Sequence, residues 1–268
     1  MRRLANTKKV GHLGTLDPLA TGVLPLVIGR ATRLAQYFTK NEKVYEGTIQ
    51  FGFATDSYDS DGEPLGEAQP VHLTAEELET ILARFRGDLV QTPPPVSAKK
   101  VGGRKAYELA REGIVVELKA VPVTVFELHL LSYESASARV RIRCTAGTYI
   151  RSIAHEVGQL AGCGAHLSQL RRTASGDFTI DGARTLDELS VLNLADVLIP
   201  AAKLLPAFPS EMVDILTAGR IRQGRDFHVS PFRVNPGSQF VKAVSHEGDL
   251  VAVGEMKLPN IYHPVLVF

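Results

Sequence analysis

An α+β fold built on a mostly antiparallel, mixed sheet, with a small β-rich domain behind it, is predicted by three features of the chain. Strand-like alternation recurs at residues 43–53, 121–132 and 138–145, mixed with helices but without the regular βαβ rhythm of a parallel sheet. Proline and alanine dominate residues 200–209, which marks a boundary. Beyond it, short apolar runs at 240–244, 250–253 and 265–268 are set off by Gly and Pro, as in a small β-barrel. With 268 residues, and about 150 residues to a typical domain, the chain divides into a large domain of 1–205 and a small one of 210–268.

The elements follow in order. Residues 2–9 read as the end of a helix whose preceding strand would cover one edge of the sheet, and the chain as given is expected to be less stable than one extended upstream. Residues 10–29 are poor in charge and rich in Gly, Thr, Pro and Leu, a loop leading into a buried segment. Ala31, Leu34, Ala35 and Phe38 fall on one side of a helix over 30–38. Val44, Tyr45, Gly47, Ile49 and Phe51 mark a strand over 43–53, and the polar stretch 56–69 is turn-rich. Thr74 followed by Glu77 is a capping box, opening a helix that stops at Gly87. Three prolines, Pro93, Pro94 and Pro95, forbid regular structure until a short helix near 105–112. Arg139, Arg141 and Arg143 alternate with Val140, Ile142 and Cys144, a half-buried strand with a basic open face. Residues 149–160 form an amphipathic helix, and 167–180 a strand pair.

Composition removes several classes. At 44% hydrophobic and 22% charged the chain is neither disordered nor fibrous, and no apolar run reaches the ~18 residues of a membrane span. Cys144 and Cys163 make no disulfide framework, and Cys163 with His166 is half a zinc site, so a reducing, cytoplasmic compartment is expected. Walker, GxGxxG, HExxH and GxSxG motifs are absent, which removes most of the case for phosphate hydrolysis, nicotinamide redox and triad hydrolysis. The net charge of +1 hides polarity: residues 1–40 carry +6, 41–90 carry −8 and 91–180 carry +5. Such a chain can present a basic face to a polyanion, although charge blocks also mark ordinary solvated faces.

Two segments carry the candidate chemistry. Asp17 is the sole carboxylate before Glu42, stands before a proline, and is flanked by Gly11, Gly14 and Gly22, which allow close approach to the backbone. It reads either as a turn residue or as a reactive carboxylate. Arg151 sits where a basic strand gives way to a helix, and reads either as a surface arginine or as the two-pronged partner of Asp17.

Residues 11–25, Gly-His-Leu-Gly-Thr-Leu-Asp-Pro-Leu-Ala-Thr-Gly-Val-Leu-Pro, resemble the catalytic motif of the TruB family, the bacterial tRNA pseudouridine-55 synthases. Four more blocks follow in the family's order. Residues 43–46 resemble its K-x-Y strand, and 55–62 its T-D-T-x-D-x-x-G turn. Residues 92–99 with 102–111 are similar to P-P-x-x-S-A-x-K … G-x-x-A-Y-x-x-A-R, and 147–151 with 162–173 to the third block. The tail is similar, more weakly, to the small PUA-type RNA-binding domain that ends many members. Two departures stand out: the family's K-P-x-G-x-T-S strand, about 20 residues before the catalytic motif, has no counterpart here, and Val96 occupies a commonly aromatic position.

The resemblance implies a pseudouridine synthase catalytic domain that isomerises the T-loop uridine at position 55 of tRNA, without metal or cofactor. It implies Asp17 as the catalytic carboxylate, Arg151 as its salt-bridge partner and Tyr45 stacking on the uracil. Tyr149 and Leu170 would line the uracil pocket, and His12 would sit against the T-loop. Arg139, Arg141, Arg143, Arg171 and Arg172 are candidates for phosphate contacts. The implied partner is the tRNA T-arm, met by a monomer without guide RNA or protein partners. A non-catalytic tRNA-binding or folding protein is the alternative, and a guide-dependent archaeal or eukaryotic type of subunit a further one.

Overall fold

The computed structural model describes residues 1–268 except 98, 102, 106–108, 110, 111, 113, 115–117 and 233–236. The helix expected over 105–112 falls mostly outside the described residues. The chain divides into two units, one of His12–Pro25 and Phe38–Ala183, the other of Met1–Gly11, Leu26–Tyr37 and Arg184–Phe268.

The strands are β1 Val10–His12, β2 Ala20–Gly22, β3 Leu26–Ile28, β4 Lys43–Phe51, β5 Gly87–Gln91, β6 Lys100–Val101, β7 Arg104–Lys105, β8 Val121–Glu134 and β9 Ser137–Cys144. They continue as β10 Ala165–Ser175, β11 Phe178–Thr179, β12 Ser210–Val213, β13 Phe227–His228, β14 Phe240–Ser245, β15 Leu250–Leu258 and β16 Ile261–Val267. The α-helices are α1 Ala75–Ala83, α2 Ile150–Leu160, α3 Leu186–Val191, α4 Leu194–Val197 and α5 Ile215–Arg222.

In the first unit one sheet runs β11-β10-β4-β9-β8-β5, antiparallel throughout, with β2 added in parallel on β10. β9 buries Ala138, Val140, Ile142 and Cys144 and turns its arginines outward, the period-two pattern expected. Against that apolar face lie Leu78 and Leu82 of α1 and Ile153, Ala154 and Val157 of α2, completed by Ile49, Val125, Leu128 and Leu167. Each such side chain contributes roughly 1.5–3 kcal/mol on leaving water, so this core fixes the sheet on which the site is built. Thr74 caps α1 in a full capping box with Glu77.

Between β4 and β10 the register slips twice, at Leu167/Gln169 and at Arg172/Ala174. The hydroxyls of the skipped residues Ser168 and Thr173 bond to the carbonyls of Thr48 and Val44 across the ladder. Leu170, Arg171 and Arg172 lie between these bulges, opposite Gly47, Glu46 and Tyr45. Bulges re-aim side chains, and here they bracket the part of β10 that also receives β2.

The second unit holds the β1–β3 ribbon and a five-stranded sheet ordered β12-β14-β15-β16-β13. Its own core joins Val213, Ile221, Phe227, Val241, Val251 and Tyr262. Two expectations change. Residues 30–38 do not form an α-helix but a 3₁₀ helix, Gly29–Tyr37, because Ala31, Leu34 and Tyr37 at i, i+3 suit three residues per turn. Met1–Thr7 form successive turns instead of a helix end, with Asn6 at φ 44° closing them. Lys242 turns inward, its Nζ bonded to the carbonyls of Ala202 and Leu204, and is unavailable to a ligand.

Candidate active site

The loop that carries Asp17 leaves β1, makes a turn at Asp17-Pro18-Leu19-Ala20 closed by a bond from Ala20 N to Asp17 O, and returns as β2. Proline at the second position pre-sets that turn. The turn aims the Asp17 carboxylate at Arg151 in the first turn of α2. Nε of Arg151 meets Oδ2 at 2.9 Å and Nη2 meets Oδ1 at 3.0 Å, a two-pronged contact across 134 positions of sequence. Arg151 is buried, whereas the Asp17 side chain keeps a third of its surface open to solvent. A carboxylate oriented by a buried fork and still accessible is equipped to react.

Arg151 has a second acidic partner. Its Nη1 lies 3.1 Å from Oδ2 of Asp59 and donates to the Ser57 carbonyl at 3.0 Å. Asp59 is buried and held in turn by Ser57 Oγ at 2.6 Å and by the Asp61 amide. Tyr58, between these two ligands of Arg151, takes φ 67°, a conformation that lets the Ser57 carbonyl and the Asp59 carboxylate face the same guanidinium. Its ring stacks on His155, one helical turn after Arg151, at 3.7 Å between centroids. Ser60 N and Tyr58 O also pair with Leu167, so the turn is stitched to β10. A Cβ on Gly62 would fall 2.3 Å from Ser57 Oγ, so glycine is needed to close it.

Sequence reasoning missed Asp59; three carboxylates close together in 56–61 looked like a solvated turn. The signal available was the turn motif itself, whose second aspartate is Asp59.

Tyr45 projects from β4 beside the same loop. Burial raises its phenol pKa, while the Arg172 charge opposes the rise. Tyr149 is the residue before α2, and Gln91 holds it by both ends of its amide: Tyr149 N donates to Oε1 at 2.7 Å, and Nε2 donates to Tyr149 O at 2.9 Å. Burial pushes its phenol up as well, with the Asp17 charge adding to that push. Leu170 is buried on β10, paired with Ala20 on one side and Gly47 on the other. Asp17, Arg151, Tyr45, Tyr149 and Leu170 thus belong to one neighbourhood of the first unit. His12 is exposed at the end of β1, and Arg171 is exposed on β10.

Two expected phosphate contacts are otherwise engaged. Arg172 is 1% exposed and bonds to main-chain carbonyls within the protein. Arg143 is held by Glu42 at 2.6 Å and Glu127 at 2.9 Å, and lies over the Phe126 ring. Alternation predicted the direction of Arg143 but not the acids facing it, Glu127 on β8 and Glu42 just before β4.

Comparison with known proteins places this architecture. A chain in the crystal structure of a Cbf5–Nop10–Gar1 complex superposes with a TM-score of 0.68 at 25% identity, covering 97% of this chain and 73% of that one. An H/ACA RNP bound to a substrate RNA containing 2′-deoxyuridine matches in fold at 0.69 and 22% identity, covering 100% and 78%. The profile of the TruB family pseudouridylate synthase N-terminal domain matches residues 2–150, and that of the tRNA pseudouridylate synthase B C-terminal domain residues 151–205. Fold and profiles together define an RNA-modifying isomerase of the pseudouridylate synthase class. The tRNA pseudouridine synthase B of Solibacter usitatus is 60% identical over 271 residues, covering all of this chain and 92% of that protein. Its counterpart in Francisella philomiragia is 46% identical over 209 residues, covering 78% and 69%. The chain belongs to the TruB family.

Proposed function

We propose that the chain converts the T-loop uridine at position 55 of tRNA to pseudouridine, with Asp17 as the catalytic carboxylate. The observation that carries this reading is the two-pronged Arg151–Asp17 contact on a carboxylate that remains one-third exposed. The reaction breaks the N1–C1′ bond, turns the uracil and rejoins it through C5; the C5 proton leaves and N1 gains one, so nothing is oxidised or hydrolysed. A single carboxylate suffices, as nucleophile at C1′ or base at C2′, and no cofactor is required.

The target uridine leaves its stack at a cost of a few kcal/mol and is received by aromatic and apolar side chains. Tyr45 stacks on the uracil, Tyr149 and Leu170 line its pocket, His12 contacts the T-loop, and Arg171 meets phosphate. Residues 1–205 form the catalytic domain and 210–268 a PUA-type RNA-binding domain. The protein acts on free tRNA as a monomer, without guide RNA or protein partners. Supporting this is the far higher identity to tRNA pseudouridine synthase B, 60%, than to the Cbf5-type chains, 22–25%. The cytoplasm is its compartment; among the described residues no helix is long and apolar enough to cross a membrane.

Tritium release from tRNA labelled at uridine C5 tests the activity. Release from wild type and none from Asp17→Asn is the expected result. Deuterium at C2′ then separates the two routes, since only the base mechanism breaks that C–H bond. Binding of tRNA without any release by the wild type would leave the non-catalytic reading.

A further inference from the structure

Arg172 is the largest of the side chains buried to less than 2% exposure, and nothing in the roles assigned above uses it. Three of its hydrogen bonds go to the loop that carries Asp17, and its side chain also meets the Tyr45 phenol. Nη2 donates to Gly14 O at 3.1 Å, Nη1 to Thr15 O at 3.2 Å and Nε to Val23 O at 2.8 Å. Gly14 and Thr15 precede Asp17; Val23 lies on the returning limb. One planar guanidinium therefore ties both limbs of the loop together from the inside.

The main chain of Arg172 adds to the closure. Its carbonyl accepts from Val23 N at 2.8 Å, and in the ladders it stands between Gly22 of β2 and Tyr45 of β4. Gly22 has φ +98°, and a Cβ there would come within 2.2 Å of the Arg172 carbonyl oxygen, so the returning limb seats flush on this residue only as glycine. The loop holding the carboxylate, the strand holding Tyr45 and this one arginine are thus mechanically joined. A planar fork spreads its donors over three nitrogens and so reaches three separate carbonyls; an ammonium has all its donors on one nitrogen and does not reproduce that spread.

We propose that Arg172 is a positioning residue for the isomerisation: by holding both limbs of the 14–23 loop closed, it sets Asp17 against Arg151 and beside Tyr45. It acts through Asp17, and neither touches the uridine nor serves as a phosphate contact. The inference rests on Asp17 being the reacting carboxylate. A displacement of about 1 Å at a reacting group is enough to slow a reaction about 100-fold.

Arg172→Lys is the test, with Asp17→Asn and wild type assayed beside it on the same tRNA. Arg172→Lys is expected to lower the single-turnover rate about 100-fold, to leave tRNA affinity within threefold and its salt dependence unchanged, and to speed amide exchange selectively over residues 13–23. An unchanged rate, or a loss carried by affinity and salt slope, overturns the proposal, the latter pointing to a phosphate contact. A slowed rate without faster exchange in the loop also overturns it. Activity in Asp17→Asn would instead sink the assignment of Asp17, whatever Arg172→Lys does. Should Arg172→Lys fail to fold, Gly22→Ala disturbs the same seat from the other side and is expected to show the same division between rate and affinity. An unaffected rate in Gly22→Ala, or failure of both variants to fold, would leave Arg172 a folding residue alone.

Discussion

Arg151 is over-determined: Asp17, Asp59 and the Ser57 carbonyl fix all three of its nitrogens. Arg151→Lys supplies one nitrogen for that whole set, so pseudouridine yield is expected to fall at least tenfold while circular dichroism stays native; near-normal yield would show that the fork is not needed. Asp59→Asn keeps the shape but removes the second charge, and a smaller loss of turnover is expected, read by the same tritium release. Lys43 behaves differently. It is buried with its Nζ on Ser175 Oγ, and burial, with the neighbouring Arg172 charge, lowers its pKa to about 8. The folded state thus gives up this proton more readily than the unfolded one. Between about pH 8 and pH 10 the unfolded chain holds more protons, and stability rises with pH across that window. Lys43→Met is expected to remove that part of the rise in Tm; an identical pH profile would mean that Lys43 titrates normally.

Elements were legible where a local rule decides them. Thr74 and Glu77 announced the start of α1, and alternation announced β4, β8 and β9, because a capping box and a half-buried strand leave a signature in neighbouring residues. Thr74→Ala, remote from the site, is expected to cost about 1 kcal/mol, seen as a Tm lower by about 2–4 °C with turnover unchanged. Thr185 and Glu188 carry the same signal and do cap α3, in a stretch with too little buried surface to attract a helix assignment. β5 begins at the glycine that stops the preceding helix and carries no strand signal of its own; only its pairing with β8 makes it a strand. Within the site the same division holds. Asp17 and Arg151 stood out individually, but the inward turn of Arg172 depends on carbonyls some 150 positions away, which no local pattern encodes.

For the molecule as a whole, charge is arranged more economically than the linear blocks suggest. The basic face of β9 meets Glu46 of β4, Glu127 of β8 and Glu42 just before β4, so part of it is neutralised before any polyanion arrives. In the second unit the exposed cations of α5 and the turn after it, Arg220, Arg222 and Arg225, remain on the surface around a separate core. Replacing Arg220 and Arg225 with Ala is expected to weaken tRNA binding and to reduce the slope of log affinity against log salt by about one to two, leaving the bound-state rate intact. A slope that does not move would remove these side chains from the RNA interface.

The shared guanidinium has a consequence for the course of the reaction. Whether Asp17 attacks C1′ or takes a proton from C2′, it loses its negative charge midway, as an ester in one case and an acid in the other. A buried arginine paired with Asp17 alone would at that moment be a cation without an anion, a state that costs several kcal/mol in a protein interior. Here Asp59, 3.1 Å from Nη1, leaves the guanidinium an acidic partner after Asp17 has reacted. The charge that Asp17 gives up passes to the uracil, which leaves C1′ as an anion on either route, so the net charge of the site is conserved while its place changes. The intermediate is thereby spared the electrostatic penalty that a simple ion pair would impose.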